Sequence, residues 1–302
     1  MADTPAKSDL REHLKTVAQR SGKPLEVVVA RSFLENVLAS EDGKQHPWKV
    51  YLGSYFEDGA GEKVRELDVL ARRQRFVDDG KPHFTCTLEA VVSCKGFPDD
   101  EHPITFTIEQ PLTPRNDERP LLLSQFGQPP TRNLKLSTKI AEQAIARLAG
   151  ASKDASIPTR RTVGFDIAKD PRKPKQEWTA KGDRTLFEGL DSALRASMYW
   201  ASQPLPAFHS SQEWIVRTQV PILVLSRPWH AFSIDDGVIK DPVETSVGFL
   251  SNLYPAFGPG TTPRPMLTLL VARSKLSELQ DALVKLYVDM WDLGETALKG
   301  PL

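Results

Sequence analysis

The chain has 302 residues, of which 40% are hydrophobic, enough for one large core or two smaller ones. Its 39 Lys and Arg balance its 39 Asp and Glu, which excludes a histone-like basic protein and an acidic disordered tail. Two cysteines, Cys86 and Cys94, are too few for a disulfide framework or a zinc ribbon. No apolar run approaches the roughly 20 residues of a membrane span, and the N-terminus lacks a secretory signal. We therefore expect a cytoplasmic, mixed α/β protein without a membrane partner.

The N-terminal part of the chain predicts two helices followed by three strands. Ser8–Gln19 has the pattern of a short polar helix, and Pro24–Ala39 follows as a second helix because Pro24 suits a first turn. The three strands are bounded by Asp-Gly turns and lie at Trp48–Phe56, Glu62–Phe76 and Phe84–Lys95.

Two segments interrupt this regular pattern. Prolines crowd the segment 96–131, which predicts irregular structure or a short hairpin laid over the surface. The segment 150–183 is predicted as a basic loop. We expect residues 1–20 to form a helical extension and residues 21–302 to form a single domain that carries both insertions.

The remaining elements follow from hydrophobic periodicity. Helices are predicted at Leu136–Leu148, Thr185–Ser202, Pro242–Tyr254 and Ser274–Leu293. Strands are predicted at Trp214–Leu225, at Trp229–Ile234 as its paired neighbour, and at Met266–Ala272. This order predicts an open sheet flanked by helices.

One acidic side chain lies on the apolar face of the second predicted helix. That face centres on Val29, Phe33 and Val37. At 100° per residue, Glu26 lies about 20° from Phe33 and about 20° from Val37 in projection down the helix axis. An unpaired carboxylate beside a buried stripe costs several kcal/mol, so a functional role is one interpretation, although Glu26 taken alone does not favour it. The structural alternative is a first-turn acid that interacts with the helix dipole.

The second and third predicted strands bring further polar groups together. If their turn lies between Gly80 and Lys81, paired residue numbers sum to about 161, which puts Asp68 opposite Ser93 with Lys95 diagonally adjacent. An acid, a hydroxyl and an amine would then meet in otherwise apolar strands. The structural alternative is an ordinary cross-strand ion pair at a sheet edge.

These residues resemble a known family. Leu25-Glu26 on a helix, the turn Tyr55–Asp58, the strand Val64–Ala71 and the strand Val91–Lys95 are similar to the PD-(D/E)XK nuclease superfamily. The resemblance covers roughly residues 21–96. It implies an α/β restriction-endonuclease-like fold, a mixed central sheet flanked by helices, here with extra C-terminal strands and a long C-terminal helix.

The resemblance also implies roles for individual residues. Asp68 would bind Mg²⁺ or Mn²⁺, Glu26 would complete the metal site, and the main-chain carbonyl of Cys94 would be a further ligand. Lys95 would orient or activate the attacking water. Ser93 replaces the carboxylate that the family usually has two residues before the lysine, and a serine oxygen is a weaker ligand for a hard cation.

Two functions follow as hypotheses from this resemblance. The first is a metal-dependent nuclease that hydrolyses phosphodiester bonds, in defence or repair, with DNA favoured over RNA. The second is a catalytically silent protein of the same fold that binds nucleic acid or a protein partner. A homodimer is compatible with either.

A basic surface for nucleic acid is predicted from the distribution of Lys and Arg. Between Ala151 and Thr185 the chain has nine basic and five acidic residues, enough positive charge to follow a phosphate backbone. A solvated loop with scattered charge is the alternative. The candidate contacts, two of them just beyond Asp68, are Arg72, Arg73, Arg160, Arg161, Lys173 and Lys175.

Overall fold

A computed structural model of the chain describes residues 12, 14, 15, 17, 22–39, 45–57, 64–77, 84–109, 123–127, 160–170, 179–180, 184–202, 214–254 and 264–299. Residues 12, 14, 15 and 17 are helical; the rest of the predicted helix Ser8–Gln19 lies outside these ranges, as does all of Leu136–Leu148. None of the helices in the described ranges is both long enough and apolar enough to cross a bilayer.

Three α-helices are described: α1 at Lys23–Glu35, α2 at Arg184–Ser202 and α3 at Leu276–Lys299, the last preceded by a 3-10 turn. The predictions for α2 and α3 are confirmed. The predicted end of the second helix at Ala39 is wrong, because Asn36 adopts an extended conformation that ends α1. Val37, predicted to continue the buried stripe, is 47% exposed, whereas Val29 and Phe33 are fully buried.

Fifteen strands are described: β1 Leu38–Ala39, β2 Gln45–His46, β3 Lys49–Glu57, β4 Val64–Val77, β5 Phe84–Lys95, β6 Glu101–Glu109, β7 Leu123–Gly127, β8 Arg160–Lys169, β9 Thr179–Ala180, β10 Trp214–Leu225, β11 Trp229–Asp235, β12 Val238–Ile239, β13 Val243–Thr245, β14 Val247–Tyr254 and β15 Arg264–Ala272. The predicted strands that became β3, β4, β5, β10 and β15 are confirmed to within a few residues at each end.

A seven-stranded mixed sheet, the main sheet, has the order β14-β15-β10-β5-β4-β3, with β7 also paired to β10. Its central strands β5 and β10 run parallel along their whole lengths, from Phe84 beside Trp214 to Lys95 beside Leu225. Strand β5 is buried from Thr85 to Cys94, because α1 and α3 cover one face of the sheet and α2 covers the other. The protein is therefore of the mixed α/β class, as predicted.

A second mixed sheet of six strands has the order β12-β11-β6-β8-β9, with β13 paired to β11. The chain enters it three times, after β5, β7 and β10, and the segments that follow β5 and β10 are tied together. The Arg227 guanidinium donates to the carbonyls of Phe97 at 3.2 Å and Asp99 at 3.4 Å. The Ser226 N–H donates to the Lys95 carbonyl at 3.0 Å. Because the crossings run side by side, β6 and β11 are parallel, as β5 and β10 are.

The second sheet corrects the predictions for the two irregular segments. Strands β6 and β7 lie within the segment 96–131 and belong to different sheets, and β8 lies within the predicted basic loop 150–183. Pro103 is accommodated in β6 because pairing with β11 begins only at Ile104, so Pro103 has a strand neighbour on one side alone.

Two further predictions near the C-terminus are wrong. Pro242–Tyr254 is not a helix but contains β13 and β14, and β14 pairs with β15 along its full length. Three β-branched residues, Val243, Thr245 and Val247, favour this outcome. The strand at 229–234 exists, but it pairs in the second sheet and not with its predicted neighbour β10.

A fully buried carboxylate ties three central strands of the main sheet together. Glu89 of β5 accepts hydrogen bonds from Arg72 Nε at 2.6 Å, Arg217 Nε at 2.8 Å and Gln219 Nε2 at 3.0 Å. Glu89 has no exposed surface, and Arg217 is 8% exposed. Each carboxylate oxygen accepts two bonds, so the charge is compensated by two guanidinium groups.

Replacing Glu89 by Gln should therefore destabilise the protein strongly, because it leaves buried guanidinium groups without their anion. We expect the free energy of unfolding to fall by about 3–5 kcal/mol in urea denaturation followed by circular dichroism. Glu244→Gln, on an exposed strand residue, is the control and should leave the midpoint unchanged. A loss below about 1 kcal/mol for Glu89→Gln would contradict a compensating role for this carboxylate.

Candidate functional site

Asp68 lies where β4 and β5 separate. Their antiparallel pairs run from Val77 beside Phe84 to Val69 beside Val92, and the ladder ends there. The next residue, Asp68, places its Oδ2 atom 2.6 Å from the main-chain N of Cys94 and 3.1 Å from Ser93 Oγ, and both groups donate to it. The predicted register, with Asp68 opposite Ser93, is confirmed. The other oxygen, Oδ1, accepts no hydrogen bond from the described residues.

The N-terminus of α1 abuts the same strand end. Gly22 caps α1 with a φ of 79°, and its main-chain carbonyl accepts hydrogen bonds from the N–H groups of Leu25 and Glu26. A Cβ at Gly22 would lie 4.0 Å from the Cys94 carbonyl oxygen, so this carbonyl faces the helix start.

Glu26, in the first turn of α1, is 6% exposed. The two sequence interpretations of this residue are thus compatible, since it is both a first-turn acid and a buried one. Its pKa is raised chiefly by burial, and the charge of Asp68 raises it further, while the hydrogen bond from Lys23 opposes the shift. Glu26 and Asp68, distant in sequence, therefore share one electrostatic environment.

Two residues that the sequence did not select complete the charge pattern. Lys23 Nζ lies 3.0 Å from Glu26 Oε2 and 2.9 Å from Glu66 Oε1, so a single ammonium joins the helix carboxylate to one on β4. The three-residue spacing of Lys23 and Glu26 is a local signal of such a pair. Nothing local connects either of them to Glu66.

The Lys95 side chain packs against α2. A Cβ built on Gly189 would come within 2.6 Å of Lys95 Cε and 2.9 Å of Leu223 Cδ1, so only a glycine leaves room for the lysine stem. The Lys95 ammonium forms no hydrogen bond or ion pair with any residue in the described ranges. Gly189 could have been identified from the sequence, because a glycine inside an amphipathic helix lowers helix stability and usually indicates close packing at that point.

The cysteine between Ser93 and Lys95 points to the opposite face. Cys94 packs in the core formed by α1, α3 and the main sheet, as the strand alternation predicted. Burial raises the pKa of its thiol well above the ordinary value, with further contributions from Asp68 and Glu26. Cys94 can therefore contribute its main-chain carbonyl to the site but is a poor thiol nucleophile.

The structure contradicts one of the predicted nucleic-acid contacts and supports none of the others. Arg73 has no exposed surface; it donates to Asn36 and stacks 4.6 Å from the Trp48 ring centroid, so its selection as a nucleic-acid contact is wrong. Arg72 is held by Glu89. Arg160 and Arg161 lie in β8, where their side chains are not described, and Lys173 and Lys175 lie outside the described residues.

A divalent cation is compatible with part of this donor set. Mg²⁺ is commonly bound through one or two carboxylates and keeps several water ligands. Asp68 Oδ1, Glu26 and the Cys94 carbonyl are hard oxygen donors of this kind. In the described ranges, however, no three His, Cys, Asp or Glu side chains gather at metal-binding distances. A bound cation would therefore depend on two carboxylates, the Cys94 carbonyl and water.

Comparison with known proteins identifies no relative. No family model, curated protein or solved structure matches this chain. The resemblance to the PD-(D/E)XK superfamily therefore rests on the residues of this chain alone.

Replacing Gly189 by Ala should displace Lys95 while leaving the fold intact. The added methyl group meets the Lys95 stem and the buried Leu223, and the helix propensity of alanine, about 1 kcal/mol, offsets part of the cost of shifting them, so we expect only a modest fall in melting temperature. After reductive ¹³C-methylation of the lysines, the Lys95 NMR signal, assigned with Lys95→Arg, should shift. Gly164→Ala, where a Cβ meets only an ordinary 3.6 Å contact, is the control. An unmoved Lys95 signal would contradict the close packing.

Replacing Glu26 by Gln should change how stability depends on pH. The folded-state pKa of Glu26 is raised above 4.5, so the parent loses stability as pH rises from 4.5 through that pKa, and Gln removes this loss. In chelator, the melting temperature of Glu26→Gln minus that of the parent should increase from about pH 4 to neutrality. Glu35→Gln, exposed on the same helix, is the control. A pH-independent difference would refute the assignment.

Proposed function

We propose that this protein is a metal-dependent nuclease with a restriction-endonuclease-like fold, hydrolysing phosphodiester bonds of nucleic acid. One observation carries the proposal: Asp68 accepts hydrogen bonds from Ser93 and the Cys94 main chain where the β4–β5 ladder ends, and Glu26 of α1 is in the same electrostatic environment. Lys95 is the next residue of β5, and within the described ranges its ammonium has no hydrogen-bond or ion-pair partner.

The order of the elements supports the same proposal. Apart from the two-residue strands β1 and β2, helix α1 is followed by β3, β4 and β5, which agrees with the α-β-β-β succession that the resemblance implies. The antiparallel pairing of these three strands puts the acid of β4 beside the Ser-Cys-Lys end of β5.

Each residue has a role that follows from its contacts. The Cys94 N–H and the Ser93 hydroxyl fix the Asp68 carboxylate through Oδ2, and Oδ1 accepts no hydrogen bond from the described residues. Lys95 provides positive charge where negative charge accumulates on the phosphate during attack by water. Ser93 thus acts as a positioning residue for Asp68, which is a different task from that of the carboxylate it replaces.

Asp68, Glu26 and the Cys94 carbonyl would hold Mg²⁺ or Mn²⁺. When bound, the cation would neutralise phosphate charge and lower the pKa of a coordinated water. Asp68, Glu26 and Glu66 are carboxylates at the site and Lys23 pairs with two of them, so a cation would also offset negative charge that would repel a phosphodiester.

The second candidate is a protein of the same fold that binds nucleic acid or a protein partner without cutting. Two observations favour it: Ser93 contributes no charge to the site, and Glu26 is already paired with Lys23. Such a protein would bind its partner independently of Mg²⁺ and of Asp68.

Incubation of the full-length protein with plasmid DNA and with RNA tests the first candidate. We expect cleavage that requires Mg²⁺ or Mn²⁺, reduced by roughly 10²-fold or more in Asp68→Asn and in Lys95→Ala. Lys275→Ala, which removes a lysine paired with Glu278 at 2.7 Å, is the matched control and should cut like the parent. Absence of cleavage, together with partner binding whose affinity changes neither with Mg²⁺ nor in Asp68→Asn, would establish the second candidate instead.

A further inference from the structure

Lys23 lies at a helix position that disfavours a positive charge, and its two carboxylate partners compensate for this. It is the first residue of α1, where the helix dipole disfavours a positive charge by about 0.3–1 kcal/mol. Its ammonium nevertheless reaches two acids from different elements, Glu26 on α1 and Glu66 on β4. The hydrogen bonds to Glu66 and Glu26, in that order, raise the pKa of Lys23, so this ammonium stays charged.

The two partners of Lys23 differ in how far they are exposed. The Glu26 side chain is 8% exposed, whereas the side chains of Lys23 and Glu66 are 57% and 40% exposed. The buried charge of Glu26 therefore needs a cation beside it, and either Lys23 or a bound metal ion would meet that need. The more exposed pair of Lys23 with Glu66 contributes only about 0–1 kcal/mol, so Lys23 can leave it at a small energetic cost.

We propose that Lys23 is a built-in competitor for the divalent cation: its ammonium holds Glu26 and Glu66, and full metal binding requires Lys23 to swing away. This inference rests on the metal site of the proposed nuclease and adds a control of its occupancy. A freed Lys23 remains beside the site, where a phosphate group of the nucleic acid is an alternative partner. Substrate would then promote metal binding, and metal would promote substrate binding, because the coupling is reciprocal.

Mn²⁺ titration of the full-length protein by calorimetry tests the inference without measuring activity. Lys23→Met keeps the aliphatic stem and removes the competing charge, so it should bind Mn²⁺ about three- to tenfold more tightly than the parent. Lys23→Arg retains a cation and should bind Mn²⁺ like the parent. Melting temperatures in chelator verify that each variant is folded.

A matched control separates this effect from a general change in charge. Lys240 has a similarly exposed side chain, 54%, and pairs with Asp235 at 2.6 Å in the second sheet. Lys240→Met should leave Mn²⁺ affinity unchanged, since it removes the same charge away from Glu26. Equal tightening in Lys240→Met and Lys23→Met would overturn the inference.

The outcomes distinguish this inference from the proposed function. Parent binding that Asp68→Asn abolishes, with unchanged or weaker binding by Lys23→Met, overturns the role of Lys23 and leaves the metal site standing. Failure of both the parent and Lys23→Met to bind Mn²⁺ overturns the metal site and the inference together. Tighter binding by Lys23→Met alone supports both.

Discussion

The hydrogen bond from the Cys94 N–H to Asp68 Oδ2 is the contact on which the candidate site depends. A main-chain donor inside a sheet needs an acceptor, and β4 no longer supplies a carbonyl once the ladder ends at Val69. The Asp68 carboxylate takes that place at 2.6 Å, so it is fixed at the strand gap by a backbone group. Ser93 and Lys95 flank Cys94 and share one face of β5, so the contact with Cys94 also determines where Asp68 lies relative to these two residues.

Two helices complete the site by close approach to the same strand end. Gly22, whose φ of 79° favours glycine, begins α1 beside the Cys94 carbonyl, and Glu26 lies in the first turn of that helix. Gly189 lets α2 lie against the Lys95 stem. Farther along β5, the buried Glu89 bonds to β4 and β10. Strand β5, which carries the site, is thus held along its length by hydrogen bonds, while its C-terminal end is not paired with β4.

The electrostatics of the site combine fixed and adjustable parts. Asp68 is held by two donors, and Glu26 is buried within the first helical turn. Lys23 and Glu66 are more exposed and are joined only through their side chains. A site built this way can change its charge balance without moving the sheet, since the exposed ammonium moves while the buried carboxylates stay in place.

The sequence by itself determined the local pattern, and the tertiary structure decided the long-range partners. Two-residue alternation and the turn near Gly80 sufficed to place Asp68 opposite Ser93, and helical periodicity sufficed for α2 and α3, because both signals arise between near neighbours in the chain. The second sheet, the early end of α1 and the burial of Arg73 were not predictable in this way. They depend on which distant strand or side chain supplies a hydrogen bond, as when Lys23 meets Glu66 across 43 positions or Gly189 makes room for Lys95. Local periodicity indicates which face a residue occupies, but only the packed chain decides what lies against that face.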